Sequence, residues 1–386
     1  MKILVIFIDM LRNGVVSKKE SNDGKTRIWD ICCKMGGICY DSCYTTAPDT
    51  YRSLGSFWSS KYPKANGVDN RNKKEADFLK YPQDTMLGKL IDNGYEFNAF
   101  LGAWGEKIGI IPNVYDARRD NLSTGKFLRE WLDTVEIGKK SFTFINLEDL
   151  HFILNDEGAT EKNYIKGEDK IVKLLSLVFD YLSPAQFDDI ILFSDHGFHY
   201  VTENRGNALD QRRSNIFLFW HRKDDEKITI DKKLCSIMDI YPTILNECKL
   251  DVPSNIEGIP LESEECHEYL LLEDHGCFYA GYIQPICEWA VIDGEGMHFI
   301  REDNTWKNKN GESEKLEKYT KILLEKATGF NEYYEIYKKN EEYGDEILWK
   351  MQKYFSDGEM RTIKTYSSME KLSYAIRRRM NRRRGK

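Results

Sequence analysis

Short apolar runs alternate with amphipathic segments over residues 3–245, and this alternation constrains the fold more than any other feature of the sequence. Residues 3–8 are an uninterrupted apolar run of strand length, and comparable runs recur along the chain. We predict further strands over residues 95–101, 141–146, 189–194 and 216–220, and helices over residues 86–93, 126–135, 170–182 and 236–245. Strands that alternate with helices predict an α/β fold: a mainly parallel central sheet with helices on both faces.

The character of the sequence changes after about residue 265. We predict a small antiparallel sheet from residues 269–273, 277–282 and 289–300, followed by surface helices within the Lys-, Glu- and Tyr-rich residues 312–354. The chain is therefore expected to contain a main domain over 1–265, a small antiparallel-sheet subdomain over 266–310, and a helical extension with a basic tail over 311–386.

The composition excludes several classes of protein. Of the 386 residues, 41% are hydrophobic, so the chain can bury a large core and is not disordered throughout. No apolar run approaches the roughly 20 residues that span a bilayer, and the N-terminal segment is better explained as a strand than as a signal peptide. The nine cysteines are irregularly spaced, which is typical of thiols in a reducing compartment. We therefore predict a cytoplasmic protein.

The net charge of −7 is unevenly distributed. Residues 377–386 carry seven basic side chains and no acid, which leaves 49 basic and 63 acidic residues in the rest of the chain. An acidic body argues against binding to nucleic acid, because phosphate contacts need clustered Lys and Arg. The basic tail predicts peripheral contact with an anionic membrane, at its inner face, or with an anionic polymer. The alternative is a solvated, frayed terminus.

Polar residues follow several of the predicted strands directly. Asp9 comes after the first strand, Glu148–His151 after the strand over 141–146, and Asp195 with His196 after the strand over 189–194. In a parallel sheet these positions share one edge, where α/β proteins bind ligands. Two carboxylates and an imidazole suit a divalent cation. A lone aspartate after a strand is often a cap or turn residue, but Asp195-His196-Gly197 after a buried strand favours a functional site.

A second feature is the segment over residues 47–63, which is predicted to enter a helix close to Thr50. A hydroxyl at a helix N-terminus lies near free backbone N–H groups and the positive end of the helix dipole, an environment that suits an anionic ester. The alternative is plain N-capping, which either Asp49 or Thr50 could perform.

Taken together, these segments resemble the sulfatase-like branch of the alkaline phosphatase superfamily, over roughly residues 1–300. The resemblance rests on six segments in the family's order: ILVIFIDMLR, TAPDTYRSLGSFWSSKYPKANGVDN, LGKLIDNGYEFNAFLGAW, FINLEDLHF, DIILFSDHGFH and IMDIYPTILNECKLDVPSNIEGIPL. The first is similar to the strand that ends in a metal aspartate, the second to the nucleophile helix, and the fifth to the Ser-Asp-His-Gly hallmark. The resemblance implies an alkaline phosphatase-like catalytic domain.

The resemblance also implies roles for individual residues. Thr50 falls at the position of the nucleophile, and Asp9, Asp195 and His196 fall on metal ligands, with Thr50 completing the metal's shell. One or two divalent ions are implied, with Zn, Mn, Mg and Ca all compatible with these ligands.

Further residues are implied at the edge of this site. Asn70 falls within one residue of an asparagine that holds a phosphate oxygen in the nucleotide pyrophosphatase branch. His151 matches a histidine that donates a proton in sulfatases or lies near a second metal in phosphatases, and Asp149 accompanies it. Arg52 and Arg205 are candidates to bind the anion, with a surface ion pair as the alternative for each. His275 is a candidate active-site histidine or an ordinary hairpin residue.

The departures from the family pattern decide the expected chemistry. Sulfatases need Cys or Ser at the position of Thr50 for conversion to formylglycine. Ala103 and Gly105 replace the family's sulfate-binding Lys and His, and Met10 replaces a second acidic ligand. A threonine nucleophile resembles the phosphodiesterase and phosphoethanolamine- or glycerol-phosphate transferase branches.

We therefore expect a metal-dependent phosphoester hydrolase or phosphotransferase that works through a phosphothreonine intermediate. A small or glycan-linked phosphoester is the expected substrate. Two alternatives remain open: a sulfatase, and a non-catalytic descendant that binds an anionic glycan or a membrane surface.

Overall fold

The structure is a computed structural model of the chain. It describes residues 1–13, 26–68, 84–101, 124–200, 211–274, 288–300 and 313–328, together with 209, 278–279, 282–283 and 330. Within these residues, no helix is both long enough and apolar enough to cross a membrane.

A seven-stranded sheet forms the centre of the molecule, with strand order β4-β5-β1-β6-β7-β2-β8. Its strands are β1 (Lys2–Ile8), β2 (Gly37–Tyr40), β4 (Glu96–Phe100), β5 (Ser141–Leu147), β6 (Asp189–Phe193), β7 (Leu218–Arg222) and β8 (Ile228–Asp231). A separate pair, β3 (Cys43–Tyr44) and β9 (Cys235–Ser236), runs parallel beside it. The predicted mainly parallel α/β sheet is confirmed.

One strand of this sheet departs from the parallel arrangement. The strand β7 is antiparallel to both of its neighbours, β6 and β2, whereas the pairs β4–β5, β5–β1, β1–β6 and β2–β8 are parallel. The chain between β6 and β7 contains only the four-residue helix Gln211–Ser214 among its described residues. A parallel crossover normally uses a longer helix, so the chain returns in the opposite direction.

Helices cover both faces of the sheet, as predicted. They are α1 (Ile28–Met35), α2 (Thr50–Ser59), α3 (Pro63–Asn66), α4 (Met86–Asp92), α5 (Thr124–Leu132), α6 (Asp149–Glu157), α7 (Glu161–Tyr181), α8 (Gln211–Ser214) and α9 (Ile240–Glu247). Successive side chains of β1 point to opposite faces of the sheet and pack in two different cores. Ile3, Val5 and Phe7 pack in the hydrophobic core that includes residues of α2, α4 and α9. Their neighbours on the strand face the core that includes residues of α1, α5, α6 and α7.

The C-terminal part of the described chain forms a small antiparallel sheet, as predicted. Its strands are β10 (Tyr269–Asp274), β13 (Glu288–Asp293) and β14 (Gly296–Phe299), and a separate hairpin joins β11 (Phe278–Tyr279) to β12 (Tyr282–Ile283). The predicted single strand over 289–300 is two strands, because the chain turns at Gly294 and Glu295. Helix α10 (Ser313–Lys326) follows, and the ring of Trp289 lies 5.2 Å from that of Phe330.

Asp239 and Thr243, which lie in the sixth of the family-like segments, have a structural role. The carboxylate of Asp239 accepts hydrogen bonds from the backbone N–H groups of Ser236 and Ile259, both at 2.8 Å, and contacts His267 Nε2 at 2.8 Å. Thr243 Oγ1 donates to the Asp239 carbonyl and accepts from the Leu261 N–H. These bonds attach the loop after α9 to the start of that helix.

Candidate metal and nucleophile site

Asp9 lies at the carboxyl end of β1, where the backbone leaves the sheet. The next residue, Met10, has a φ of 64°, a left-handed conformation that costs a non-glycine residue about 1 kcal/mol. The Met10 N–H donates to Asp195 Oδ1 at 3.2 Å, which connects the ends of β1 and β6. The Met10 side chain packs in the apolar core, so this position contributes a backbone donor and not a second acidic ligand.

Asp195 and His196 follow β6 in a tight turn. A side chain at Gly197 would place its Cβ 2.1 Å from the Arg212 carbonyl oxygen, so only glycine fits there. His196 Nδ1 lies 2.7 Å from the Gly197 carbonyl oxygen, which can only accept a hydrogen bond. His196 Nδ1 is therefore the donor in this bond, and Nε2, which lies 3.4 Å from Asp195 Oδ2, is the nitrogen that could bind a cation.

Asp9, Asp195 and His196 form one buried cluster. One donor atom of each lies within 4.8 Å of the other two, a spacing that allows a shared cation. Burial raises the pKa of Asp195, and the neighbouring Asp9 charge raises it further, while His196 and the Thr50 hydroxyl act in the opposite direction. Asp195 Oδ2 accepts no hydrogen bond from the described residues. This donor set fits Zn²⁺, Mn²⁺, Mg²⁺ or Ca²⁺.

Thr50 is the first residue of α2, and the structure brings it to this cluster. Asp49 is the N-cap, and its side chain accepts a hydrogen bond from the Arg52 N–H. Because Asp49 performs the capping, the Thr50 hydroxyl is not needed for it and interacts with the Asp195 carboxyl group. Thr50 is partly exposed, whereas Asp9, Asp195 and His196 are buried.

A second hydroxyl on the same helix attaches α2 to the cluster. Ser53 Oγ donates to the Asp195 carbonyl oxygen at 2.9 Å and accepts from Thr45 Oγ1 at 2.9 Å. The sequence analysis did not identify Ser53. Its spacing of three residues from Thr50 is the available signal, since residues i and i+3 share a helix face.

His151, in the first turn of α6, lies next to the cluster. Its Nδ1 lies 3.0 Å from Asp9 Oδ2, and its side chain is 25% exposed. Its Nε2 lies 2.6 Å from Asn155 Nδ2, a donor that the sequence analysis missed. Burial alone would lower the pKa of His151, but the adjacent Asp9 carboxylate, reinforced by Asp195 and Glu148, raises it above its ordinary value.

Two further candidates form ion pairs with residues outside the three-residue cluster. Asp149 begins α6, and its Oδ1 lies 3.8 Å from Lys170 Nζ on α7. Arg52 is completely buried and forms ion pairs with Asp49 and Asp274. The alternative of a surface ion pair is wrong for Arg52, because the end of β10 packs over this part of α2.

The remaining predicted positions cannot be placed. Asn70, Arg205 and His275 lie outside the described residues, as do Ala103, Gly105 and the basic tail over 377–386.

A second cluster of metal-ligand type lies in the small sheet. Asp293, Glu295 and His298 also have donor atoms within 4.8 Å of one another. Here, however, Lys315 Nζ lies 2.7 Å from Asp293 Oδ2 and 2.8 Å from Glu295 Oε2. The lysine ammonium supplies the positive charge, so this cluster is a salt-bridge network that attaches α10 to the sheet.

Comparison with known proteins gives the fold. No family model and no curated protein matches the chain by sequence. Among solved structures, it is similar to a phosphonate monoester hydrolase from Silicibacter pomeroyi, with a TM-score of 0.61 and 12% identity over 84% of this chain and 94% of the other. A 2-O GAG sulfatase matches with a TM-score of 0.56 and 14% identity over 88% and 93% of the two chains.

A third structure is a protein in the alkaline phosphatase superfamily from Vibrio parahaemolyticus. It matches with a TM-score of 0.55 and 14% identity, over 86% of this chain and 88% of the other. All three likenesses extend over most of both chains, so they concern the whole architecture and not one motif. The chain therefore has the sulfatase-like fold of the alkaline phosphatase superfamily.

Proposed function

We propose that this protein is a metal-dependent hydrolase or transferase of phosphate esters, with Thr50 as its nucleophile. The observation that supports the proposal is the position of Thr50. It is a partly exposed hydroxyl at the start of α2, next to a buried cluster of two carboxylates and a histidine whose donor atoms could hold a cation. Similar solved structures are a phosphonate monoester hydrolase and sulfatases, which are hydrolases of anionic esters.

Asp9, Asp195 and His196 would hold the cation. When bound, a divalent ion would lower the pKa of a nearby hydroxyl and neutralise charge on the ester oxygens. Burial and the neighbouring Asp9 charge raise the pKa of Asp195, and a bound cation would offset both effects.

The reaction would proceed in two displacements at phosphorus. Thr50 Oγ1 would give up its proton to solvent and form a bond to phosphorus while the bond from phosphorus to the leaving oxygen breaks, which would give a phosphothreonine. His151 is partly exposed and has a raised pKa, so in its protonated form it is suited to act as the general acid for the leaving oxygen. Water, or the hydroxyl of an acceptor, then displaces Thr50 and takes the phosphoryl group.

The test is a comparison of Thr50→Ala and Thr50→Ser on aryl phosphate monoesters, diesters and phosphonate monoesters with added divalent metal. We expect Thr50→Ala to lose turnover and Thr50→Ser to retain part of it. Ser59→Ala is the matched control, because Ser59 is a hydroxyl residue at the other end of α2 and donates to the Gly55 carbonyl. Unchanged turnover in Thr50→Ala would remove Thr50 from the mechanism.

A sulfatase is the second candidate function, because a 2-O GAG sulfatase is among the similar structures. The β-carbon of threonine carries a methyl group, so oxidation of Thr50 would give a ketone and not the aldehyde of formylglycine. A sulfatase of this sequence would therefore use the hydroxyl itself. An aryl sulfate included in the same panel separates the two functions, and mass spectrometry of the Thr50 peptide identifies the group transferred.

The substrate class is proposed on the same basis. A glycan-linked ester is favoured because the similar structures include a sulfatase of glycosaminoglycans, and a small ester is the alternative. Thr50 and the proposed general acid His151 are both partly exposed, which is compatible with a larger substrate.

A further inference from the structure

A buried network of four charged residues surrounds the chain on both sides of Thr50. It consists of Asp49, Arg52, Arg213 and Asp274, none of which is more than 7% exposed. Asp274, the last residue of β10, accepts hydrogen bonds from Arg52 Nη2 at 3.1 Å and from Arg213 Nη1 at 3.0 Å. One carboxylate of the small sheet therefore holds two guanidinium groups of the main domain.

The two arginines contact the residues that flank Thr50. Arg213 Nη2 donates to the Pro48 carbonyl oxygen at 3.0 Å. Arg52 Nε donates to Asp49 Oδ2, and the Arg52 N–H donates to Asp49 Oδ1 at 3.2 Å. The backbone before Thr50 and the first turn after it are thus both connected to Asp274.

Arg213 also contacts the turn that carries the metal-ligand candidates. The Gly197 N–H donates to the Arg213 carbonyl oxygen at 2.8 Å, immediately after His196. The side chain of Arg213 therefore holds the Thr50 segment while its backbone holds the Asp195–Gly197 turn. A shift of Arg213 would move the nucleophile and the cation cluster relative to each other.

The network is balanced in charge, with two carboxylates and two guanidinium groups. Buried ion pairs of this kind add little stability compared with an apolar core of the same shape, because desolvation offsets the attraction. Their directional hydrogen bonds nevertheless fix the positions of the groups that they join. The network is therefore better explained by precise placement of Thr50 than by stability alone.

We propose that Asp274 and Arg213 are positioning residues that hold Thr50 in line with the Asp9, Asp195 and His196 cluster. The small C-terminal sheet would then contribute to the reaction, although the Asp9, Asp195 and His196 cluster lies in the main domain. This inference rests on the proposed role of Thr50 as the nucleophile. A displacement of about 1 Å at a reacting group costs about 10²-fold in rate, which sets the expected effect.

The experiment compares Asp274→Asn with Asp293→Asn in the full-length protein with added divalent metal. Both are buried aspartates of the small sheet that contact cationic side chains, but Asp293 contacts Lys315, whereas Asp274 contacts the Thr50 segment through Arg52 and Arg213. We expect Asp274→Asn to lower kcat about 10²-fold with KM nearly unchanged, and to accelerate amide hydrogen exchange in residues 49–53. Asp293→Asn should change neither measurement.

A second pair of variants applies if Asp274→Asn does not fold. Arg213→Lys keeps the positive charge but cannot reach both Asp274 and Pro48, so it should lower kcat. Because Arg213→Met also removes the charge, it should lower kcat further. Equal kcat in the two Arg213 variants, or unchanged exchange in residues 49–53 of folded Asp274→Asn, would overturn the proposal. Hydrogen exchange does not need turnover. If the wild-type protein neither hydrolyses a phosphate ester nor transfers its phosphoryl group to an added hydroxyl acceptor, the proposed function fails, and the exchange data still decide whether the network holds the Thr50 segment.

Discussion

Two clusters in this molecule have the same types of donor but a different electrostatic character. The first joins Asp9, Asp195 and His196 at the edge of the central sheet, and the second joins Asp293, Glu295 and His298 in the small sheet. In both, carboxylate and imidazole atoms lie within 4.8 Å of one another. Donor type and spacing alone therefore do not separate a metal site from a salt-bridge network.

The pKa values of the two central aspartates separate the clusters. Burial raises the pKa of Asp195, and the Asp9 charge adds to the effect. Burial also acts to raise the pKa of Asp293, but hydrogen bonds from Lys315, Tyr319 and His298 outweigh it and hold that pKa well below its ordinary value. A buried carboxyl group with a raised pKa is poorly compensated, whereas one with a lowered pKa already has its cation.

The contrast shows how one chain can use the same residue types in two ways. Where the protein supplies an ammonium group, the cluster stabilises the packing of α10. Where two carboxylates face each other beside a partly exposed hydroxyl, a bound cation would neutralise part of their negative charge and lower the pKa of the hydroxyl. We derive four predictions from this comparison.

The largest expected effect is on activity. Asp195→Asn should lower ester hydrolysis by roughly 10³-fold, because it removes a proposed ligand of the cation that stabilises the transition state. Asp293→Asn should leave the rate within about twofold of wild type, since it affects only the lysine network. Steady-state kinetics with a chelated and a metal-supplemented sample would check both values. Equal losses in the two variants would abolish the distinction between the clusters.

The next effect is on stability in the presence of metal. Adding Zn²⁺, Mn²⁺, Mg²⁺ or Ca²⁺ to chelator-treated protein should stabilise the wild type and Asp293→Asn by about 2.7 kcal/mol at a metal concentration of 100 times Kd. Asp195→Asn should show no such shift at the same concentration. Thermal unfolding curves measure the change, and the ion with the largest shift at low concentration identifies the preferred metal.

A smaller loss is expected from the salt-bridge network. Lys315→Met should lower the free energy of unfolding by about 2 kcal/mol, because the buried Asp293 carboxylate loses a charged donor but keeps Tyr319 and His298. Lys321→Met is the matched control, since its partner Glu317 lies on the same helix in an exposed i,i+4 pair. Denaturant titration should show almost no change in the control. Equal losses would mean that helix propensity, and not the network, determines the effect.

The smallest effect is a change in the pH dependence of stability. The folded pKa of Asp293 is lowered, so its contribution is complete above the unfolded pKa of about 3.9 and is lost as the pH falls toward the folded value. In that acidic range the wild type should lose up to about 1.4 kcal/mol per pH unit more than Asp293→Asn. Parallel slopes for the two proteins between pH 5 and pH 2, measured by chemical unfolding, would contradict this assignment.

The main part of the fold could be predicted from the sequence, because apolar runs of strand length are continuous where both faces of a strand are buried. The same pattern predicted that Asp9 and Asp195 each follow a strand. It also predicted that the two residues lie at the same edge of the sheet. The direction of β7 could not be predicted, since an apolar strand has the same composition in either orientation and only the connection decides it.

The charged residues show where sequence reasoning stops. Arg52 and Arg213 are buried with acidic partners from distant parts of the chain, and nothing in the local sequence distinguishes them from surface arginines. Lys315 is equally unremarkable as a helix residue, yet its contact with Asp293 determines the character of the second cluster. In each case the partner is brought close by tertiary packing, which a local pattern does not encode.

The most direct measurement is anomalous diffraction from crystals of the protein soaked with Mn²⁺, with a phosphate ester analogue in the soak. The account predicts one strong peak among the carboxylate oxygens of Asp9 and Asp195 and the Nε2 atom of His196, with the Thr50 hydroxyl facing it. A peak between Asp293 and His298 with none at the first cluster, or a Thr50 side chain directed away from the bound ion, would contradict it.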